Sequence, residues 1–204
     1  NAPSREVPDW TGSLGREMLS FVNRDKTARR IEMKDARKAV VLVQKYARSK
    51  WPACRVLLFG SRANNLHLLG GDVDLVILDG PVENLANAAK DYSEKDRGKI
   101  SKFLYKMMHD LCNARVIRGP PGTQVGAQVI KAKRVPIIKC RLFQSGLECD
   151  ISMGVANGHA AVKLTAEYLR KFKPLRPLLM VLKLFLKQRN MSSPFTGGIG
   201  GYTL

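Results

Sequence analysis

Two aspartates placed two residues apart, Asp72 and Asp74, open an apolar run that continues to Leu78. Side chains alternate faces along a strand, so both carboxylates project from the same side of a sheet. Two acids on one face of a buried strand repel each other and lose hydration, a cost that a cation between them offsets. A divalent metal is the simplest such cation, because hard ions take carboxylate oxygens. Upstream, the apolar run Val56 to Phe59 breaks at Gly60-Ser61. A strand that stops at glycine and enters a turn or short helix presents free backbone N–H groups, which favour phosphate. The Ser61 hydroxyl can add one more hydrogen bond to a phosphate oxygen. Gly-Ser alone is an ordinary strand-ending turn, and Asp-x-Asp alone an ordinary solvated strand end. Tied to two successive apolar runs, they point to chemistry on a nucleotide.

Other residues can join them. From Leu147 to Met153 the pattern alternates, with Leu147, Cys149 and Ile151 on one face and Glu148, Asp150 and Ser152 on the other. Asp150 therefore stands on the polar face of a third strand, and spacing alone does not choose between it and Glu148. Lys183 and Lys187 are four residues apart and stack on one face of a helix whose other positions are apolar nearly all round. They either snorkel at the rim of the core or meet an anion. Thr196-Gly-Gly-Ile-Gly-Gly-Tyr202 has too many glycines for a helix interior and suits close backbone approach to a ligand or a neighbouring helix. Asn157-Gly158 is by itself a turn.

In order along the chain, these words resemble a family. Gly60-Ser61 followed by Asp72-Val-Asp74 is similar to the signature of the DNA polymerase β-like nucleotidyltransferases. Leu58-Phe-Gly-Ser-Arg-Ala-Asn-Asn-Leu-His-Leu, Val135-Pro-Ile-Ile-Lys, Glu148-Cys-Asp-Ile-Ser, Asn157-Gly and the glycine-rich stretch resemble the Trf-type noncanonical poly(A) polymerases. The resemblance implies an α+β fold: a palm of mixed sheet with flanking helices over residues 25–156, and a helical central domain from 1–24 and 157–204. It implies further chain beyond Leu204, completing that second domain. It makes Asp150 the third catalytic carboxylate, holding two Mg²⁺ or Mn²⁺ ions together with Asp72 and Asp74. Gly60, Ser61, Lys183 and Lys187 would meet the phosphates of ATP; Asn157 would contact ribose or base, and Tyr202 would face the nucleotide.

The implied reaction is template-independent transfer of AMP from ATP to RNA 3′ ends. A terminal uridylyltransferase shares every motif seen here. A small-molecule nucleotidyltransferase and a catalytically silent RNA-binding scaffold are further alternatives. Family membership also implies nuclear RNA surveillance alongside a zinc-knuckle RNA-binding protein and a helicase, although a mitochondrial relative would carry the same motifs.

The elements that must hold these residues are legible in outline. Leu14 to Phe21 has helical spacing, with Ser13 as a candidate N-cap. Asp25 to Lys50 reads as a long basic helix with Ile31, Ala36, Val40, Val43 and Ala47 on its apolar side, stopped by Trp51-Pro52. Asp79-Gly80-Pro81 and Gly119-Pro-Pro-Gly122 are breakers. Ile100 to Leu111 is helical, Val116-Ile117 and Val135 to Ile138 extended, and the chain from His159 onward helical, with Pro177 in a first turn.

Composition sets limits on partners. Lys and Arg number 35 against 17 acids, a net charge of +18, and the basic residues are spread over several segments. That points to a folded surface for a polyanion such as RNA. No apolar run approaches the roughly 20 residues of a membrane span, so no membrane partner is expected. Cys54, Cys112, Cys140 and Cys149 lack C-x-x-C spacing and His67, His109 and His159 are scattered. Free thiols are therefore expected, and no zinc site.

Overall fold

The computed structural model describes residues 12–80, 93–119, 126–131, 135–154 and 157–201, with backbone alone at 157–160 and 195. Expectations at Pro81, at residues 120–122 and at Tyr202 lie outside the described residues.

A six-stranded mixed sheet carries the site. Its strands are β1 (Arg55–Phe59), β2 (Val73–Leu78), β3 (Ile117–Arg118), β4 (Gln128–Ile130), β5 (Ile137–Leu142) and β6 (Glu148–Met153). Spatial order is β1-β2-β6-β5-β3, with β4 also on β5. β2 and β6 run parallel; the other pairs are antiparallel. β3 and β4 share one edge of β5, β4 pairing residues 137–139 and β3 pairing 141–142.

Alternation decides which face is covered. Val73, Leu75 and Ile77 of β2 and Cys149, Ile151 and Met153 of β6 point into a core with Ile138, Cys140 and Leu142 of β5. Two helices close that face. The first, α2 (Lys26–Lys50), buries Met33, Ala36, Ala39, Val43 and Ala47, and its small residues let the backbone lie close to β1. The later one, α4 (Glu94–Asn113), buries Ile100, Leu104, Met107, Met108 and Leu111. Its N-cap Ser93 accepts a hydrogen bond from the Asp96 backbone, so residues 94–99 form its first turns. As an edge strand, β1 lacks one neighbour. Gln44 of α2 supplies the missing partners, donating to Cys54 O at 2.8 Å and accepting from Val56 N at 2.7 Å.

The remaining helices are α1 (Ser13–Arg24), α3 (Gly60–Ala63), α5 (Asn157–Lys171) and α6 (Leu175–Gln188). The first and last lie side by side, and α5 rests on α6 and on β1. Among the described residues, no helix is long and apolar enough to cross a membrane. All four cysteines are free.

Three sequence expectations need correction. Ser13 is the first residue of α1, not its cap; Gly12 occupies that place, and no side chain caps the helix. Ile31 is 60% exposed, while Arg29 is buried. Arg29 sits where α1 turns into α2, and its guanidinium satisfies the carbonyl of Val22, a need that periodicity cannot register. The helix carrying Lys183 and Lys187 is not enclosed either: Leu178, Leu182 and Phe185 are exposed.

Candidate active site

Asp74 and Asp150 are direct register partners on the parallel pair β2 and β6. Equivalent positions on adjacent strands share a face, so the two carboxylates stand side by side on the uncovered side of the sheet. Asp72 precedes β2 by one residue and is exposed. Burial pushes the Asp74 carboxyl up to about 6, reinforced by Asp150 and Asp72 and opposed by Lys183 and Arg62. Asp150 is also raised, first by burial and further by Asp72 and Glu148, with Lys139 opposing. The three acids that the sequence singled out thus feel one another's charge.

Phe59, the last residue of β1, pairs with Asp74, so the chain leaves β1 directly against that carboxylate. Gly60 takes the left-handed conformation there (φ 59°). A Cβ built on Gly60 would overlap Asp74 Oδ2. Glycine is required at this point by both the backbone and the neighbour. Ser61 follows in α3 and, with Gly60 and Asp74, lines a cavity of about 920 Å³. Lys183 of α6 closes the same cavity and donates to the Leu66 carbonyl at 3.1 Å. Burial lowers the Lys183 pKa, and Asp74 partly offsets that. Away from the acids, the walls become apolar and aromatic, with Leu164, Tyr168, Phe172 and Leu179.

The helical elements are tied to this corner by polar contacts. Arg176 of α6 donates to the carbonyls of Asn64 and Asn65 at 2.8 and 2.9 Å. Asn64 in turn donates to Val162 O of α5 at 3.1 Å. Not every expected residue converges. Lys187 is exposed and lies one turn beyond Lys183, off the cavity wall. Asn157 begins α5, its side chain outside the described residues. Glu148, the alternative to Asp150, pairs with Arg141 at 2.8 Å instead. The neighbouring strand therefore separates two acids that spacing alone could not.

Two residues missed by the sequence reading hold Asp72 in place. Arg62 is 1% exposed and donates from Nε to Asp72 O at 3.0 Å and from Nη2 to Gly71 O. Nη2 also reaches Glu32 Oε2 of α2 at 3.0 Å, and Glu32 Oε1 accepts from Gly70 N at 2.9 Å. The clamp fixes the backbone from Gly70 to Asp72. The adjoining Gly-Ser marks the position of Arg62, but nothing in the sequence separates Glu32 from the other charges of α2.

The donor set suits a hard divalent cation. Asp74 and Asp150 are adjacent register partners, and the raised proton affinity of these two carboxyls marks a place where positive charge is wanted. Among the described residues, no group of three or more His, Cys, Asp and Glu side chains is arranged to hold a metal ion.

Comparison with known proteins agrees with this geometry. Residues 14–170 match the family model "Poly(A) RNA polymerase, mitochondrial-like, central palm domain". "Poly(A) RNA polymerase protein 1" of Saccharomyces cerevisiae is 30% identical over 204 residues, covering all of this chain and 28% of the relative. The "Inactive non-canonical poly(A) RNA polymerase protein Trf4-2" of Drosophila melanogaster is 29% identical over 169 residues, covering 81% of this chain and 36% of the relative. Among solved structures, the polymerase core of TRAMP, a RNA surveillance complex, superposes with a TM-score of 0.61 at 27% identity. That match covers 85% of this chain and 46% of the other, so the present chain spans less than half of either the yeast relative or this neighbour. With its polymerase-β-like mixed sheet, flanking helices and paired strand acids, the chain belongs to the poly(A) RNA polymerase central palm family of nucleotidyltransferases.

Proposed function

We propose that this chain is the catalytic part of an enzyme that adds AMP from ATP to RNA 3′ ends without a template. The observation that carries the reading is the register of Asp74 with Asp150 beside a glycine whose place no larger residue can take. Asp72, Asp74 and Asp150 would hold two Mg²⁺ or Mn²⁺ ions. Such ions lower the pKa of an attacking hydroxyl and neutralise a leaving pyrophosphate.

The chain's own residues do the positioning. Gly60 and Ser61 offer backbone and hydroxyl donors to the β- and γ-phosphates, and Lys183 adds a cation from the opposite wall. Lys187 extends that positive charge outward, and by the resemblance Asn157 would contact ribose or base and Tyr202 would meet the nucleotide. Asp150 would complete the set of carboxylates that holds the ion serving the RNA 3′-hydroxyl. The aromatic walls of the cavity suit a base. Catalysis here is placement and charge neutralisation, so no His or Cys nucleophile is needed.

By this reading the palm would comprise 25–156, and 1–24 with 157–204 would belong to the helical part beside the nucleotide cleft. The packing of α1 on α6 supports that division. The resemblance to surveillance polymerases supports a nuclear role on RNA in a complex, with a zinc-knuckle protein and a helicase as the expected partners.

Extension of a labelled RNA primer with each NTP offered separately tests the reading. ATP should be incorporated best, and Asp74→Ala should reduce extension by ~1000-fold or more while the primer still binds. Preference for UTP would make the enzyme a uridylyltransferase. Activity without RNA would point to a small-molecule acceptor. The inactive fly relative favours a silent RNA-binding scaffold as the second reading. Metal-dependent ATP binding in calorimetry, lost in Asp74→Ala, separates a competent site from a relic.

A further inference from the structure

Apolar packing alone leaves the position of α6 underdetermined. Pro177, Met180 and Leu186 are buried, whereas Leu178, Leu182 and Phe185 are exposed. Burial of apolar surface is non-directional, so a helix with so few buried side chains is weakly fixed along its axis. Hydrogen bonds fix it, because they weaken with small changes of distance and angle. Arg176 and Lys183 supply those bonds. Seven residues apart, they share one face of α6 and stand about 10 Å from each other along its axis. Both donate to backbone carbonyls of one short segment, Arg176 to Asn64 and Asn65, and Lys183 to Leu66.

That segment leaves the turn that carries Ser61. Leu66 N donates to Ser61 O at 2.8 Å, and Asn65 N to Arg62 O at 3.3 Å. The segment is itself held, since the Asn64 side chain donates to Val162 O of α5 at 3.1 Å. The placement of the Lys183 ammonium relative to Ser61 therefore runs through Leu66. One bond to Leu66 O leaves two of its three N–H groups for phosphate, but a single bond is also a pivot. Arg176 removes the pivot by fixing α6 at a second point two turns away. Its Nη1 carries two hydrogens, one for each carbonyl, and charge-assisted bonds of this kind are the strong ones. Among the described residues, no carboxylate pairs with Arg176. Burial lowers its pKa and the nearby Arg29 lowers it further. The guanidinium is thus attached to backbone, and an ion pair plays no part in holding it there.

We propose that Arg176 is a positioning residue for the triphosphate of the incoming nucleotide: it pins α6 to the segment leaving α3 and so holds Lys183 at the phosphates. The pin rests on the nucleotide site proposed above and adds to it a residue that never touches the substrate. Arg176 lines neither the cavity beside Gly60 and Ser61 nor a smaller one of about 260 Å³ over Asp150. Its influence passes through the helix. Without the pin, α6 turns about the Leu66 bond, and a displacement of about 1 Å is enough to spoil a phosphate contact.

Calorimetric titration with magnesium tripolyphosphate tests the pin without RNA and without transfer. Arg176→Met and Lys183→Met should each weaken binding about tenfold, the worth of one hydrogen bond to a charged group. In the Lys183→Met background, Arg176→Met should change the affinity by less than about twofold, since a residue acting through another adds nothing once that other is gone. Losses that simply multiply overturn the pin, as does wild-type affinity in a folded Arg176→Met protein. A wild-type protein that binds no tripolyphosphate overturns it as well. Arg176→Lys, which keeps a cationic donor for the carbonyls, should recover most of the affinity. If Arg176→Met does not fold, Arg176→Gln takes its place in the same cycle with the same outcomes. AMP, which lacks the β- and γ-phosphates, should bind wild type and Arg176→Met alike. In primer extension, Arg176→Met should raise the KM for ATP about tenfold and leave kcat nearly unchanged, the pattern of lost uniform binding. A lowered kcat at unchanged KM would mark loss of folded enzyme and refute positioning. If the wild-type protein extends no RNA yet the cycle shows coupling, the reaction fails and the pin stands. If it extends RNA and the losses multiply, the reaction stands and the pin fails.

Discussion

Asp74 is where burial, charge and backbone geometry meet. Its carboxyl lies beside Asp150, against Gly60, and within the field of Lys183. The free acid is raised to about 6, above the ordinary value near 3.9 that an unfolded chain retains. Between those values the folded state holds more protons than the unfolded state, so stability falls as pH rises through that window. Stability from this group is present below pH ~4 and lost above pH ~6. Asp74→Asn should therefore raise metal-free stability at pH 7.5 by about 2 kcal/mol and change little at pH 4. Thermal melts at both pH values check the sign. Added Mn²⁺ should raise the Tm of the wild-type protein at pH 7.5 and leave that of Asp74→Asn nearly unmoved. Equal responses in the two proteins would remove Asp74 from the cation site.

At the scale of elements, one turn of helix organises the corner. α3 brings Ser61 to the cavity and turns Arg62 inward, where it grips the backbone ahead of β2 and pairs with Glu32 of α2. A long basic helix on the covered face thereby helps position a carboxylate on the open one. Breaking a buried ion pair strands its partner, so Arg62→Met should cost about 3 kcal/mol in urea unfolding. If the clamp orients Asp72, Glu32→Gln, a milder change, should raise the apparent Kd for Mn²⁺ about tenfold. A purely structural role would lower the urea midpoint and leave that Kd where it was. Little of this corner shows in the linear pattern. Alternation revealed the face of Asp150 because a strand with one covered side writes burial directly into its sequence. Arg62 and Glu32 lie far apart along the chain, and their pairing depends on how α2 crosses the sheet.

Across the whole molecule, the charge of +18 is not a uniform coat. α2 packs its small residues against the covered side of the sheet and turns Arg37, Lys38 and Lys45 outward, away from the acids. Lys139, Arg141 and Arg118 stand on the open side, in line with the site. Neutralising Arg37, Lys38 and Lys45 together should weaken salt-sensitive association with RNA but leave the KM for a short primer within about twofold. Steady-state kinetics at 50 and 200 mM NaCl would check this, and a large rise in primer KM would place the RNA path over α2 instead.

Residue order alone was enough to put Asp74 and Asp150 on polar strand faces, although Asp72 falls one residue ahead of its strand, and to mark the glycine break upstream and call for a polyanionic partner. These are local matters, set by alternation, turn chemistry and composition. Folding in three dimensions was needed to show that Asp150, rather than Glu148, meets Asp74; that Lys183 reaches the cavity wall and Lys187 does not; and that Arg62 is buried. Those outcomes depend on strand register and on the angle at which a helix crosses its neighbours. Both arise from packing between segments distant along the chain, and no single segment encodes either.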